Sequence, residues 1–204
     1  MSDMPLSGVG LPVGQYLTLE AFCTCTRTYQ RYAEQISPLP QCSESVVALR
    51  ELCDRILDPI ITHFGLENFR LTYGFCSPDL KRFLEKIDPA TGRRHGRVSP
   101  NLDQHMAHEK KKNGRYYCDR LGAACDFQIR AVPSDAVVDW IVAQRLPFDS
   151  LYFYGTDRPI HISYGPQHKR DIWTFTNQGT PTRKGTERWR ALLDDETGGD
   201  ELTE

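Results

Sequence analysis

The stretch RLGAACDFQIR, Arg120–Arg130, carries an aspartate, Asp126, into an apolar strand beside Phe127 and Ile129. A carboxylate entering a strand core is costly unless it is paired, protonated or bound to a cation. Gly122, Ala123 and Ala124 precede it and let backbone approach closely. Outward from this strand, two histidines stand in short apolar contexts, His105 in DQHM and His161 in PIHIS. Two imidazoles and a carboxylate are a recurring ligand set for catalytic zinc, with water completing the coordination. A bound cation would also explain how Asp126 stays ionised.

The segments around this strand predict the fold class. Upstream, NFRLTYGFC alternates Phe69, Leu71, Tyr73 and Phe75, the period of a strand. Downstream, FDSLYFYG and PIHISYG read as an antiparallel pair joined by TDR, and RDIWTFT as a further strand. Helical spacing appears at Leu19, Phe22 and Cys23, with Thr18 as N-cap. It appears again across SESVVALRELCDRILDPIITHFG, where Ser43 or Ser45 caps, Pro59 bends and Gly65 ends the helix. SPDLKRFLEKI opens with Ser77 as cap and Pro78 at the first position. PSDAVVDWIVAQRL turns Ala136, Val137, Trp140, Ile141 and Leu146 inward. Trp140, Trp173 and Trp189 are expected to anchor helix-on-sheet packing. The expectation is an α+β domain with a mainly antiparallel sheet and flanking helices. Residues 1–15 read as an irregular lead-in, 16–192 as one domain, and 193–204 as an acidic disordered tail.

Composition narrows the function classes. The chain has 204 residues and a formal net charge of −2, so no global basic field draws it to nucleic acid or membrane. The run EKKKNGR lacks interleaved base-reading residues and reads as a solvated loop. No apolar run is long enough to span a bilayer, and the N-terminus lacks a charged segment followed by an apolar one. Both point to a cytoplasmic chain. The seven cysteines include no C-x-x-C pair, only Cys23 and Cys25 as C-x-C, which speaks for reduced thiols rather than a zinc ribbon.

The order of the motifs adds a resemblance. YLTLEAF, LCDRILDPIITHFG, TYGFCSPDL, DQHM with LGAACD, FDSLYFYG and PIHISY follow one another between Tyr16 and Gly165. In that order they resemble the zinc D-Ala-D-Ala carboxypeptidases, metallopeptidases whose fold is shared with the hedgehog signalling domain. The resemblance implies that His105, Asp126 and His161 hold zinc and that the substrate is a peptide, such as a peptidoglycan fragment. It leaves the oligomeric state open.

Three departures from the family pattern bear on chemistry. His105 and Asp126 stand 21 positions apart, where the family has seven. Residues 107–120 therefore read as an inserted surface loop, and His108 becomes a rival to His105. The family's substrate-facing arginine is Cys76 here, and its glutamate base is Tyr154. A tyrosine of ordinary pKa is a poor base at neutral pH. Asp157, four residues before His161, is the expected substitute, with Tyr154 as a hydroxyl donor; Glu109 and Asp119 read as solvated charges. The expected function is a zinc-dependent peptide or amide hydrolase. The alternative is a catalytically impaired zinc module with a binding role. The aromatics Tyr152, Phe153, Tyr154 and Tyr164 are expected to pack the sheet, with some placed to wall a substrate groove.

Overall fold

Alternation along the strand that holds Asp126 decides which way the sheet faces. In β2 (Ala123–Ile129), Ala123, Cys125, Phe127 and Ile129 are buried, while Asp126 and Gln128 on the other face are part-exposed. A period of two puts these sets on opposite faces. Asp126 is therefore on the open face of the strand and does not enter the apolar core. The computed structural model describes residues 10–96 and 99–197.

Six strands form one sheet in the order β1-β2-β4-β3-β5-β6. They are β1 (Phe69–Tyr73), β2, β3 (Ser150–Phe153), β4 (Ile160–Tyr164), β5 (Asp171–Phe175) and β6 (Pro181–Thr182). All neighbours are antiparallel except β3 and β5. The expected α+β class, mainly antiparallel with flanking helices, holds.

The core face is covered by a long helix built in three parts: α3 (Ser43–Leu52), a π turn (Cys53–Leu57) and α4 (Asp58–Phe64). Pro59 lacks an N–H and its ring crowds the carbonyl one turn back. The wider π turn takes up that mismatch, so the proline produces a register change inside the helix. Gly65 ends it at φ 87°. The expected serine cap is absent: Cys42 is the N-cap, without a side-chain bond, and Ser45 is engaged elsewhere. α7 (Ser134–Ala143) buries Val137, Val138, Ile141 and Val142; Ala136 is exposed and Trp140 half-exposed, stacked on His63. Trp189 of α8 (Glu187–Thr197) is the fully buried tryptophan, donating to Asp139 at 2.6 Å.

The N-terminal helix is split. Thr18 caps α1 (Leu19–Thr24) as expected, and Thr26 caps a second short helix, α2 (Arg27–Tyr32). Ser77 caps α5 (Pro78–Glu85) through Leu80 N at 3.0 Å. α5 closes over a smaller cluster of Ile36, Cys76, Leu80, Phe83, Leu84 and Met106. A final short helix, α6 (Pro100–Asp103), precedes His105.

Two of the boundary expectations change, at the tail and at the loop 107–120. Of the irregular lead-in, residues 1–9 lie outside the described residues, and 10–15 form a loop whose Val13 is buried in the core. The acidic tail does not begin at 193: α8 runs to Thr197 with Leu193 against the core, and 198–204 lie outside the described residues. The loop at 107–120 is not a free excursion. Ala107, Glu109 and Cys118 are buried, and only residues 110–115 form an exposed tip. Glu109 accepts hydrogen bonds from Gln41 N at 3.0 Å and Ser45 Oγ at 2.9 Å. It ties the loop to the start of α3, so it is no solvated charge.

Glu109→Ala is therefore expected to cost about 2 kcal/mol, the size of a charge-assisted hydrogen-bond pair lost at a buried site. Replacing residues 111–115 with an Asn-Gly turn should leave stability nearly unchanged. Urea unfolding of both variants checks the contrast.

Candidate metal centre

Cross-strand register assembles the site. Asp126 of β2 pairs with Tyr73 of β1 on one side and His161 of β4 on the other. His161 pairs with Tyr152 of β3, which pairs with Trp173 of β5. Direct partners share a face, so these five side chains form one row across the open face. His105 comes from outside the sheet and completes the group from above.

His105, Asp126 and His161 each turn one donor atom inward, and the three atoms lie within 4.8 Å of one another. His161 Nδ1 is 2.8 Å from Asp126 Oδ1, and His105 Nε2 is 3.3 Å from the same oxygen. Both imidazoles are buried and meet edge to face, with ring centres 4.9 Å apart. The sequence-predicted triad is thus brought together.

His105 is held on both its ring and its backbone. Its Nδ1 lies 2.9 Å from Gly74 O, and its carbonyl accepts from Cys76 N at 2.9 Å. Donation from Nδ1–H to a carbonyl leaves Nε2 facing Asp126, where it holds a proton or, once deprotonated, offers the lone pair a metal ligand needs. Gly74 is required here, since a Cβ would run into the Phe22 carbonyl. Gln104 and Ala107, flanking the histidine, adopt left-handed φ of 55° and 44°, unusual for residues with a side chain. Gln104 fastens that backbone through Nε2 to Asp149 Oδ2 at 3.1 Å and to Leu121 O. Tyr152 and Arg120 both donate to Leu102 O. Such strain held by surrounding contacts is characteristic of functional sites.

Electrostatics follow from burial and proximity. Burial disfavours the charged imidazole of His105, but the Asp126 carboxylate outweighs it and raises the pKa to about 9. Burial keeps His161 below its ordinary value, against the pull of Asp126. Burial alone would push the Asp126 carboxyl up; the charge and hydrogen bonds of the two histidines hold it well below the usual carboxylate range. Without a metal, an additional proton on the triad is therefore favoured on His105 over His161. His161 Nε2 is buried with no hydrogen-bond partner among the described residues.

The triad opens into a cleft of about 160 Å³ lined by Tyr73, Cys76, Asp103, Met106 and Tyr154 among others. Asp103 is the carboxylate in that lining beyond the triad, and its Oδ1 accepts from His105 N at 3.3 Å. The sequence reading passed over it, although it stands two residues before His105 in DQHM. Asp157, the expected base, is placed elsewhere. It is exposed in the β3–β4 turn and lines a separate groove with Arg70, Gln128 and Arg130. The turn carries its side chain past the end of the strand row, so nearness in sequence to His161 does not become nearness in space. His108 stands apart too, its Nε2 accepting from Gly122 N at 3.2 Å. Tyr154 does reach the cleft, 43% exposed and stacked on Phe175. Cys76 is fully buried, its thiol pushed up to about 12 by burial, so it presents a neutral group to the cleft. All seven cysteines are free thiols.

The chain matches no family model, no curated protein and no solved structure. No helix among the described residues is long and apolar enough to cross a membrane.

A zinc ion entering this triad would compete with a proton for His105. Below about pH 9 the metal must displace that proton, so zinc affinity should rise about tenfold per pH unit and level off above it. Chelator-buffered titrations between pH 6 and 10 check the slope.

Proposed function

We propose that this chain is a zinc-dependent hydrolase acting on a peptide or amide bond. The observation that supports it is the Asp103 carboxylate lining the same cleft as the His105, Asp126, His161 ligand set. The donor chemistry fits a divalent ion: two imidazole nitrogens and one carboxylate oxygen, with one tautomer fixed by the Gly74 carbonyl. A zinc ion held there would supply Lewis acidity, polarising a carbonyl and making a water acidic at neutral pH. Asp103 would accept the proton of the attacking water and pass it to the leaving amine. Tyr154 would donate its hydroxyl to the oxygen on which charge develops. Such an enzyme resembles the D-Ala-D-Ala carboxypeptidases in ligand set and motif order, with Asp103 in place of their glutamate. A peptide, for example a peptidoglycan stem peptide, is the substrate class this reading favours.

The same ligand set is also used by non-haem iron oxygenases. A carboxylate poised for proton transfer favours hydrolysis over that reading. A module that binds zinc without chemistry is favoured by Tyr154 and Cys76 standing where the family has glutamate and arginine. The experiment is metal analysis of the purified protein followed by a panel of dipeptides, peptide amides and stem peptides. Zinc near one per chain, with turnover abolished by chelator and restored by zinc, is the expected result. Iron in its place removes the hydrolase reading, and zinc without turnover shifts it to the binding module.

A further inference from the structure

β1 ends the sheet on one side, and β2 is its one strand neighbour among the described residues. The ladder shows which groups its free edge presents. Arg130 N donates to Asn68 O at 2.9 Å, so Asn68 and Arg130 form a hydrogen-bonded pair. Antiparallel pairs alternate, which turns the backbone of Arg70 toward β2 and that of Phe69 and Leu71 away from it. Phe69 N finds Gly65 O at 3.2 Å on that outer side. The N–H and C=O of Leu71 have no hydrogen-bond partner among the described residues. Such an edge accepts a further strand. The bulge between Leu71 and Tyr73 interrupts it, so it suits a short segment and not a long sheet between two copies.

The same edge borders a groove of about 570 Å³ lined by Arg27, Thr28, Arg70, Leu71 and Gln128 among others. Arg70 is the direct cross-strand partner of Gln128, which places it on the open face with Asp126. Arg27 and Arg70 are exposed, and neither forms an ion pair among the described residues. In a chain of net charge −2 they make a local basic spot. Tyr73 lines both this groove and the cleft of the triad, so the two are continuous.

We propose that this groove binds an extended peptide carrying an acidic side chain, added to β1 as a further strand. The peptide residue bonded to Leu71 turns its side chain to the core face, and its neighbour carries the acid beside Arg70 on the open face. The groove runs on past Arg70 to Arg27 and Gln30, so the acid is a side chain within the peptide and not its terminal carboxylate. That this peptide is the substrate rests on the hydrolase reading; its binding rests on the edge and the two arginines.

The test reads binding and does not depend on turnover. Dissociation constants for the zinc-loaded protein are measured by NMR titration with acetyl-Ala-Ala-Glu-Ala-Ala-amide and its glutamine counterpart. The glutamate peptide should bind about fivefold tighter at roughly 0.01 M salt, the upper end for exposed ion pairs, and lose much of that advantage at about 0.15 M. Arg70→Gln should remove most of the preference with zinc content unchanged. Methylating one peptide nitrogen at a time should weaken binding about fivefold at the position that donates to Leu71 O. Leu71→Pro removes the other bond of that pair, leaves the β2 ladder intact and should weaken both peptides alike. Equal binding of the two peptides, a preference that survives Arg70→Gln combined with Arg27→Gln, or indifference to every methyl group overturns the proposal. A glutamate peptide that is bound but not cleaved keeps the groove and removes the hydrolase.

Discussion

Asp103→Asn is expected to leave zinc bound and to lower amide hydrolysis at least about a hundredfold, the lower end of general-base contributions. The substitution separates position from chemistry. Asparagine keeps the side-chain oxygen that accepts from His105 N, so the loop geometry is preserved. It has no carboxylate to take a proton. Asp157→Asn, in a turn outside the cleft, is expected to change turnover by less than about twofold, since surface changes away from a site are close to neutral. Steady-state kinetics of both variants at matched zinc content check the pair. Full activity in Asp103→Asn would remove Asp103 from the mechanism.

The second large effect is on the metal. His161→Ala should lower zinc affinity by at least about a thousandfold, beyond the ten- to hundredfold cost of losing a supporting hydrogen bond. It removes a nitrogen 2.8 Å from Asp126 Oδ1. The change takes away a neutral buried ring and creates no uncompensated charge, so the fold should persist. His108→Ala should keep zinc, because its ring faces Gly122 and the loop rather than Asp126. Chelator competition measures both. Undiminished zinc in His161→Ala would dissolve the triad.

The set His105, Asp126 and His161 is legible from residue types and motif order, but the register that puts Asp126 opposite His161 on one face is not, because a slip of one residue between neighbouring strands would turn one of them to the core. The helix starts at Thr18 and Ser77 are legible for the same local reason, a hydroxyl three residues before an unpaired N–H. Asp103 was not legible, because its place depends on how a loop folds back over the sheet. Gln104 and Ala107 take left-handed conformations that no sequence period announces, and the anchor is a glutamine bonded to an aspartate 45 residues away. Asp157 shows the converse: it is four residues from His161 in sequence, but it stands exposed in a turn that lines a separate groove. The buried role of Glu109 was hidden because a charged residue in a lysine-rich run reads as solvated, and its partners lie 64 and 68 positions distant. The π turn before Pro59 shows how one residue can alter a helix without ending it.

The central claim, that one ion sits between His105, Asp126 and His161, is tested most directly by X-ray absorption at the zinc edge of the purified protein. Nitrogen and oxygen ligands alone, with two imidazoles at roughly 2.0–2.1 Å, are the predicted result. A sulfur at about 2.3 Å would place the metal on cysteines instead and contradict the account.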